Sequence, residues 1–282
     1  VYWNGVKLNS PMRGDVDFSL FPVYFIDGIS LLHGGSSLQS GSGALGGSVL
    51  ISNKPDWAER FSIRYVQTIE SFSTAKEYLN LGFGSGSFQF KTRLFSDQSK
   101  NDFPFFNYGV LPMHETFQKN AGYSKQGLLQ ELYARLKKHT FSARVWAYQS
   151  HRDLPQLMSF EGGSRTETQD DSNLRGVFSW KYVTERSKLD WVGGVNWNEL
   201  SYFRASTEAN FVNFDSHSKE RSYTSKLNFD WTPKQSISLN WSLNTAYHTV
   251  SVFDGAQKMG YDQDRVEVSL LNAVYVQPIP EV

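Results

Sequence analysis

From about residue 57 onward, apolar and polar positions alternate with period two, the pattern of strands with two unlike faces. The clearest run is 237–251: Ile237, Leu239, Trp241, Leu243, Thr245 and Tyr247 mark one face, and Ser238, Asn240, Ser242, Asn244, Ala246 and His248 the other. Leu174, Phe178, Trp180 and Tyr182 alternate with Arg175, Ser179 and Lys181, and Leu189, Trp191, Val195 and Trp197 with Asp190, Asn196 and Asn198. The alternation predicts ten strands, at about 60–70, 76–84, 88–98, 127–136, 139–150, 172–183, 187–203, 220–232, 236–252 and 265–276.

The predicted connections alternate in length. Short ones fall at 84–87, 137–138, 184–186 and 232–235, and longer ones at 99–126, 151–171, 204–219 and 253–264. The first connection, 71–75, is short where a long one is expected. Short turns at one end and long loops at the other are the build of an outer-membrane barrel. Many of the strands are also longer than the usual five or six residues of soluble sheets. No fixed-period repeat supports a solenoid or propeller.

Composition sharpens this reading. Aromatic residues make up 15% of the 282, yet total hydrophobic content is 39%, which suits a barrel in which only alternate residues face lipid and aromatics form girdles. No apolar run is long enough for a membrane-spanning helix. The 28 basic and 28 acidic residues balance, which argues against nucleic acid as a partner. With no cysteine there are neither disulfides nor thiolate metal sites. The six histidines (33, 114, 139, 151, 217 and 248) show no metal-ligand spacing. The opening Val1-Tyr2-Trp3-Asn4-Gly5-Val6 reads as strand and turn with no leader, and both ends read as cuts, so the sequence is expected to be an internal fragment of a longer protein.

Ahead of the strands, Gly34 to Ile51 holds six glycines and five serines in eighteen residues before turning apolar. Such density marks tight turns or close backbone contact. In order along the chain, Val1-Tyr2-Trp3-Asn4-Gly5-Val6-Lys7-Leu8-Asn9 resembles the "DGV-x-LN" hairpin of TonB-dependent receptor plugs, with Asn4 for Asp. Asp17-Phe18-Ser19-Leu20-Phe21-Pro22 resembles "D-x-S-x-IP", Ile29-Ser30-Leu31-Leu32-His33-Gly34 resembles "IE-x-LRG", and Ser37 to Gly47 resembles "S-x-x-YG-x-GA-x-GG". His33, Gly35, Ser40 and Ser48 depart from the family's Arg, Pro, Tyr and Val. The plug motif is carried by Gly34, Gly41, Gly43, Ala44, Gly46 and Gly47. Asn120 to Tyr123, Gln130 to Tyr133 and His151 to Pro155 resemble stretches of Bacteroidetes-type receptors.

The resemblance implies an all-β fold: a transmembrane antiparallel β-barrel, here about ten of 22 strands (58–282), preceded by the C-terminal part of a small α/β plug (1–57). It implies an outer-membrane location in a Gram-negative bacterium. The implied function is active uptake of a scarce large nutrient, of cobalamin or siderophore type, driven by the TonB–ExbB–ExbD complex through a segment upstream of this chain. Its other partners are outer-membrane lipid and the transported ligand; no cofactor or metal is called for. A glycan-uptake subunit with a partner lipoprotein, or a passive porin-like channel, is the alternative. No catalytic constellation stands out, and Gly41-Ser42-Gly43 is not a nucleophile elbow, so an enzyme is not expected.

The inner wall is expected to carry Arg64, Thr68, Lys91, Arg93, Arg175, Lys181, Asn196, Asn198, Lys226, Asn228, Asn240 and Asn244. Specificity is expected in the long loops. The candidates for ligand contact are Phe103, Phe105, Phe106 and Tyr108 of an aromatic stretch, which could stack on a flat ligand, with His151 and Arg152. Tyr202-Phe203-Arg204-Ala205-Ser206, followed by His217, is similar in part to the Arg-Ala box of haem receptors, with Ser206 in place of its proline.

Overall fold

The computed structural model describes residues 1–34, 46–157, 165–206, 211–234 and 236–276. They form a four-stranded sheet that sits against the inner face of a ten-stranded antiparallel sheet, a partial barrel wall.

The small sheet contains β1 (Tyr2–Trp3), β2 (Val6–Lys7), β3 (Gly28–His33) and β4 (Gly47–Ser52), in the order β2-β1-β4-β3. A two-residue loop, Asn4-Gly5, joins β1 to β2, with φ of 48° and 93°. That left-handed pair is what a tight hairpin needs, and Asn-Gly supplies it at least cost. Between β2 and β3 the chain makes two 3-10 turns, Phe18–Leu20 and Val23–Phe25. The Asp17 side chain caps the first by accepting from the Ser19 N–H. No α-helix occurs among the described residues.

The wall consists of β5 (Phe61–Glu70), β6 (Thr74–Gly84), β7 (Phe88–Ser99), β10 (Tyr123–Leu136), β11 (His139–Asp153), β12 (Arg165–Val183), β13 (Ser187–Ser206), β14 (Phe211–Lys234), β15 (Ile237–Asp254) and β16 (Met259–Val276). Each pairs with its sequence neighbour, except that β10 pairs with β7. The connection between those two carries a separate hairpin, β8 (Pro104–Asn107) with β9 (His114–Phe117).

All ten predicted strands are present, but two of the expected long loops are corrected. Most of 204–219 belongs to β13 and β14, which run to Ser206 and from Phe211, and 253–264 shrinks to a turn between Asp254 and Met259. The strands continue as paired ribbons beyond the region where alternation announces them.

The outer face divides sharply. Leu94, Leu128, Ala147, Leu174 and Trp197 are register partners in one row across five strands. Two residues further along, the row reads Ser96, Gln126, Gln149, Ser172 and Glu199. The next reads Gln98, Ser124, His151, Asp170, Ser201 and His217. In the other direction the face is mainly apolar and aromatic down to the short turns, interrupted by the hydrogen-bonded Thr92 and Gln130, with Phe88, Phe141, Trp180 and Trp191 in one row and Phe229 and Trp241 stacked in the next. An apolar band thus ends at a line two residues wide.

The inner face builds the core. Trp3, Val6, Leu8, Leu20, Phe25 and Ile51 of the small sheet and its turns pack with Tyr78, Leu129, Trp146, Tyr148 and Val177 of the wall. The indole of Trp146 meets Trp3, Phe21 and Phe25 edge-on, at centroid distances of 5.3, 5.3 and 5.9 Å. Each such pair adds about 0.5–1.5 kcal/mol beyond the burial of area. A Cβ at Gly194 would drive into the Val6 side chain, so the hairpin approaches the wall where that strand lacks a side chain.

Candidate functional site

The seam between small sheet and wall holds the densest polar chemistry. Arg93 and Glu131 sit on adjacent wall strands, 4% and 0% exposed, with the guanidinium 2.9 Å from the carboxylate. Arg93 also reaches Asp27 of the small domain at 2.7 Å and donates to the Tyr24 carbonyl. Glu131 accepts from the Tyr133 hydroxyl at 2.6 Å; that hydroxyl in turn accepts from Arg144, which donates to the backbone carbonyl of Asn53. The Lys54 N–H donates to Asp27, which closes a ring of contacts crossing the seam twice. A buried carboxylate needs such a set, because desolvation is costly unless the charge is paired and bonded.

Asn53 is the hub on the small-domain side. Its Oδ1 accepts from Trp3 Nε1 at 2.7 Å and from Asn4 Nδ2, its Nδ2 donates to the Phe25 carbonyl at 2.6 Å, and its N–H donates to Asn4 Oδ1. One side chain therefore fastens β1, the hairpin loop and the second 3-10 turn to the end of β4.

Nearer the polar rows, Arg152 lies between Asp17 of the first 3-10 turn at 3.2 Å and Asp171 of β12 at 2.9 Å, while Lys125 donates to the Ser19 carbonyl. Burial pushes the Asp17 carboxyl up, but hydrogen bonds from Ser19 and the charge of Arg152 outweigh this and hold it below the usual carboxylate range. Ser10 donates to Glu220 of β14 at 2.5 Å. At the opposite end Gln89, fully buried, bonds Asp56 and Glu59 in the segment that leads into β5.

All twelve inner-wall residues named from the sequence fall on this face by register: Arg64 opposes Asn80 and Lys181 opposes Asp190, and Asn240 bonds Asp230. The loop candidates are distributed differently. His151 and Arg152 are the two residues before the last of β11 and point to opposite faces. Arg152 faces the small domain; His151 faces outward, 2.7 Å from Asp170 and 3.5 Å from Asp153. Phe103 packs against Phe72 and Phe105, at 6.0 and 6.2 Å, whereas Phe106 and Tyr108 form a pair at 4.8 Å and are 42% and 73% exposed. Pro104 and Phe117 are register partners on the same exposed side of that hairpin.

Arg204 lies over the Phe214 ring on the inner face, while His217 bonds Ser201 and Asp215 on the outer face, so the strands separate the parts of the haem-like box. Of the motif glycines, Gly41, Gly43 and Ala44 lie outside the described residues. Gly34 has φ +79°; Gly46 leads into β4; Gly47 has φ +141°, and a Cβ there would drive into the Leu32 carbonyl oxygen. Sequence reasoning missed Asp27 and Asn53 and gave Glu131 no role beyond its place in the Gln130 to Tyr133 stretch; Asp27, two residues after the second 3-10 turn, lies in no motif that could have flagged it.

Residues 1–48 match the family described as TonB-dependent Receptor Plug Domain. No curated protein sequence matches the chain. Among solved structures, the siderophore receptor PiuA from Acinetobacter baumannii is similar at a TM-score of 0.67 and 11% identity, over 97% of this chain and 47% of that one. The copper transporter OprC is similar at 0.65 and 12% identity, over 93% and 40%, and the FrpB iron transporter from Neisseria meningitidis at 0.62 and 11%, over 95% and 51%. The chain thus spans about half the length of these structures or less. At such identities the likeness establishes the fold: a plug segment seated in a partial barrel.

Proposed function

We propose that this chain is part of a TonB-dependent receptor of the outer membrane of a Gram-negative bacterium, with plug residues 1–57 gating the barrel begun by 58–282. The observation that carries the reading is a segment matching the plug family, fastened by the partly buried ion pairs Arg93–Asp27 and Arg152–Asp17 to the inner face of a wall whose outer face carries an apolar band. His139 to Ala147 is nine outer-and-inner residues of β11 between short turn and polar row, within the roughly 9–11 a tilted strand needs to cross a bilayer. The apolar band is then the lipid belt, and the aromatic row near the short turns its periplasmic girdle.

The cargo in this reading is a scarce, large nutrient, and a siderophore-type metal chelate ranks first because solved structures of similar fold are named as siderophore, copper and iron transporters. Cobalamin is the second candidate, and the resemblance to Bacteroidetes-type receptors belongs to the same proposal. Phe106 and Tyr108, exposed and paired on the β8–β9 hairpin, are the aromatic surface for first contact, with Phe103 and Phe105 supporting them from behind. The role is transport, without catalysis.

The test uses the full-length protein. Isolated outer membranes should bind the cargo, and cells should import it only with TonB–ExbB–ExbD intact. Import that persists after deletion of that complex would leave a passive channel as the better reading.

A further inference from the structure

The end of the wall that carries the short turns is basic where β10 meets β11. The turn between them is two residues long, Lys137 and Lys138, with Leu136 and His139 as register partners on either side. Lys137 has φ +52°, in the left-handed region that two-residue turns normally give to glycine or asparagine. A lysine held there costs backbone strain that a glycine would avoid. Both lysines are exposed, and neither forms an ion pair among the described residues. The stretch 135–139 holds Arg135, Lys137 and Lys138 and no acid. Arg135 is committed to the Gly86 carbonyl and the Trp57 ring, whereas the two turn lysines are not so engaged among the described residues.

The next short turn lies alongside. The Val183 N–H donates to the Lys138 carbonyl, and three residues beyond Val183 the β12–β13 turn carries an exposed Arg186. Between the two turns, on the outward face, His139 and Tyr182 are register partners whose rings stack at 4.7 Å. His139 also lies nearly parallel to Phe141 and Trp180, at 6.1 Å from each. Trp180 Nε1 donates to His139 Nδ1 at 3.1 Å. An indole N–H can only donate, so Nδ1 accepts and the imidazole hydrogen sits on Nε2. His139 thus sets an N–H donor beside the lysine turn, at the edge of an aromatic face that Phe141, Trp180 and Trp191 continue towards the apolar band.

We propose that this corner binds one anionic glycerophospholipid of the inner leaflet, with a headgroup of the phosphatidylglycerol type. Lys137 and Lys138, with Arg186 on the adjacent turn, meet the phosphate; His139 Nε2 donates to a phosphate or ester oxygen; and the acyl chains run along Phe141 and Trp180. A zwitterionic headgroup fits less well. Its ammonium finds no carboxylate on 135–139, and Glu185 of the neighbouring turn is followed directly by Arg186. The proposal rests on the barrel reading above, which puts the short turns at the periplasmic interface, and adds a ligand on the lipid-facing side, away from plug and cargo.

The experiment is native mass spectrometry of the full-length protein, released from detergent after incubation with dioleoyl phosphatidylglycerol or dioleoyl phosphatidylethanolamine at equal concentration. The wild type should retain one phosphatidylglycerol in preference, and excess inorganic phosphate should not displace it. Lys137→Gln with Lys138→Gln should weaken retention by about tenfold. His139→Ala should weaken it by about threefold, and His139→Gln, which keeps an N–H donor, should recover most of that loss. Lys137→Gly separates binding from folding. It relieves the left-handed strain, so the lipid-free protein should melt no lower while retention falls. Lys234→Gln, on the β14–β15 turn, should leave retention unchanged; an equal loss there would show attraction to a generally basic rim and overturn the site. Equal retention of the two lipids, or displacement by phosphate, would overturn it as well while leaving the barrel intact. A protein that shows no heat-modifiable migration from detergent would overturn the barrel reading itself.

Discussion

Arg93 Nε lies 2.9 Å from Glu131 Oε2 on the neighbouring strand, with both side chains almost fully buried, and the same guanidinium extends to Asp27 of the plug. The wall supplies an acid that pairs with its own arginine independently of the plug. Glu131 is thus an internal partner, and Asp27 a removable one. Breaking a buried pair by removing one member typically costs about 3–5 kcal/mol, because an unpaired charge is left behind, whereas replacing both by apolar groups costs far less. Arg93→Met and Glu131→Leu should each strongly destabilise the full-length protein, and the double variant should recover most of the loss. A double-mutant cycle on thermal unfolding in detergent checks this; additive effects would show that the two groups are not coupled.

Asn53 predicts a different outcome, because its side-chain bonds lie within the plug. Asn53→Ala removes acceptors for Trp3 and Asn4 and a donor to Phe25, in a site 3% exposed. Each buried group left unsatisfied costs about 1–3 kcal/mol. Hydrogen exchange should rise across β1, β2 and the 3-10 turns while the wall strands stay protected. Equal loosening of plug and wall would contradict the assignment of Asn53 as a plug hub.

The contrast between these two sites shows what the sequence could disclose. Wall strands were legible because lipid and lumen impose opposite chemistry on alternate residues, so Lys91, Arg93 and Arg175 could be assigned to the inner face by parity alone. Parity fails where both faces are polar. Asn213 to Lys219 of β14 mixes Phe214 inside with Asp215 and His217 outside, and reads as loop. Parity also hides within a two-residue motif: His151 and Arg152 read as one site but face opposite ways. The partners across the seam were beyond reach for a further reason. Arg93–Asp27, Arg144–Asn53 and Arg152–Asp17 are separated by 66, 91 and 135 residues, and a contact fixed by docking of two sheets leaves no local pattern.

Asp17 makes the apical turn of the plug sensitive to acid. Its carboxylate is held below the usual range, so the ionised form is the one the fold stabilises. The contribution is complete above the ordinary carboxylate value of 3.8 and is lost as pH falls through the lower folded value. As pH is lowered from 6 towards 3, the Phe18–Phe25 segment should become accessible to an acid-stable protease, because Ser19 and Arg152 release it. Asp17→Asn should show that accessibility already at pH 6 and little further change. An unchanged digestion profile in the variant would remove Asp17 from the control of this turn.

The sharp edge of the apolar band allows a test of depth in the membrane. Leu132 is an outer-face residue of β10, in register with Ala143 and, through it, with Phe178, in the middle of the band. Gln126, on the same strand and face, lies in the first polar row with Ser96 and Gln149. An arginine at a bilayer midplane costs about 2–4 kcal/mol on a barrel surface, falling to about 0–1 near the interface. Leu132→Arg should therefore destabilise the full-length protein in lipid vesicles by several times more than Gln126→Arg, as measured by reversible unfolding in guanidinium. In detergent micelles, which deform around a charge, the difference should narrow. Equal costs in vesicles would mean that the line between Leu128 and Gln126 is not where lipid tails end, and the wall would have to sit at another height.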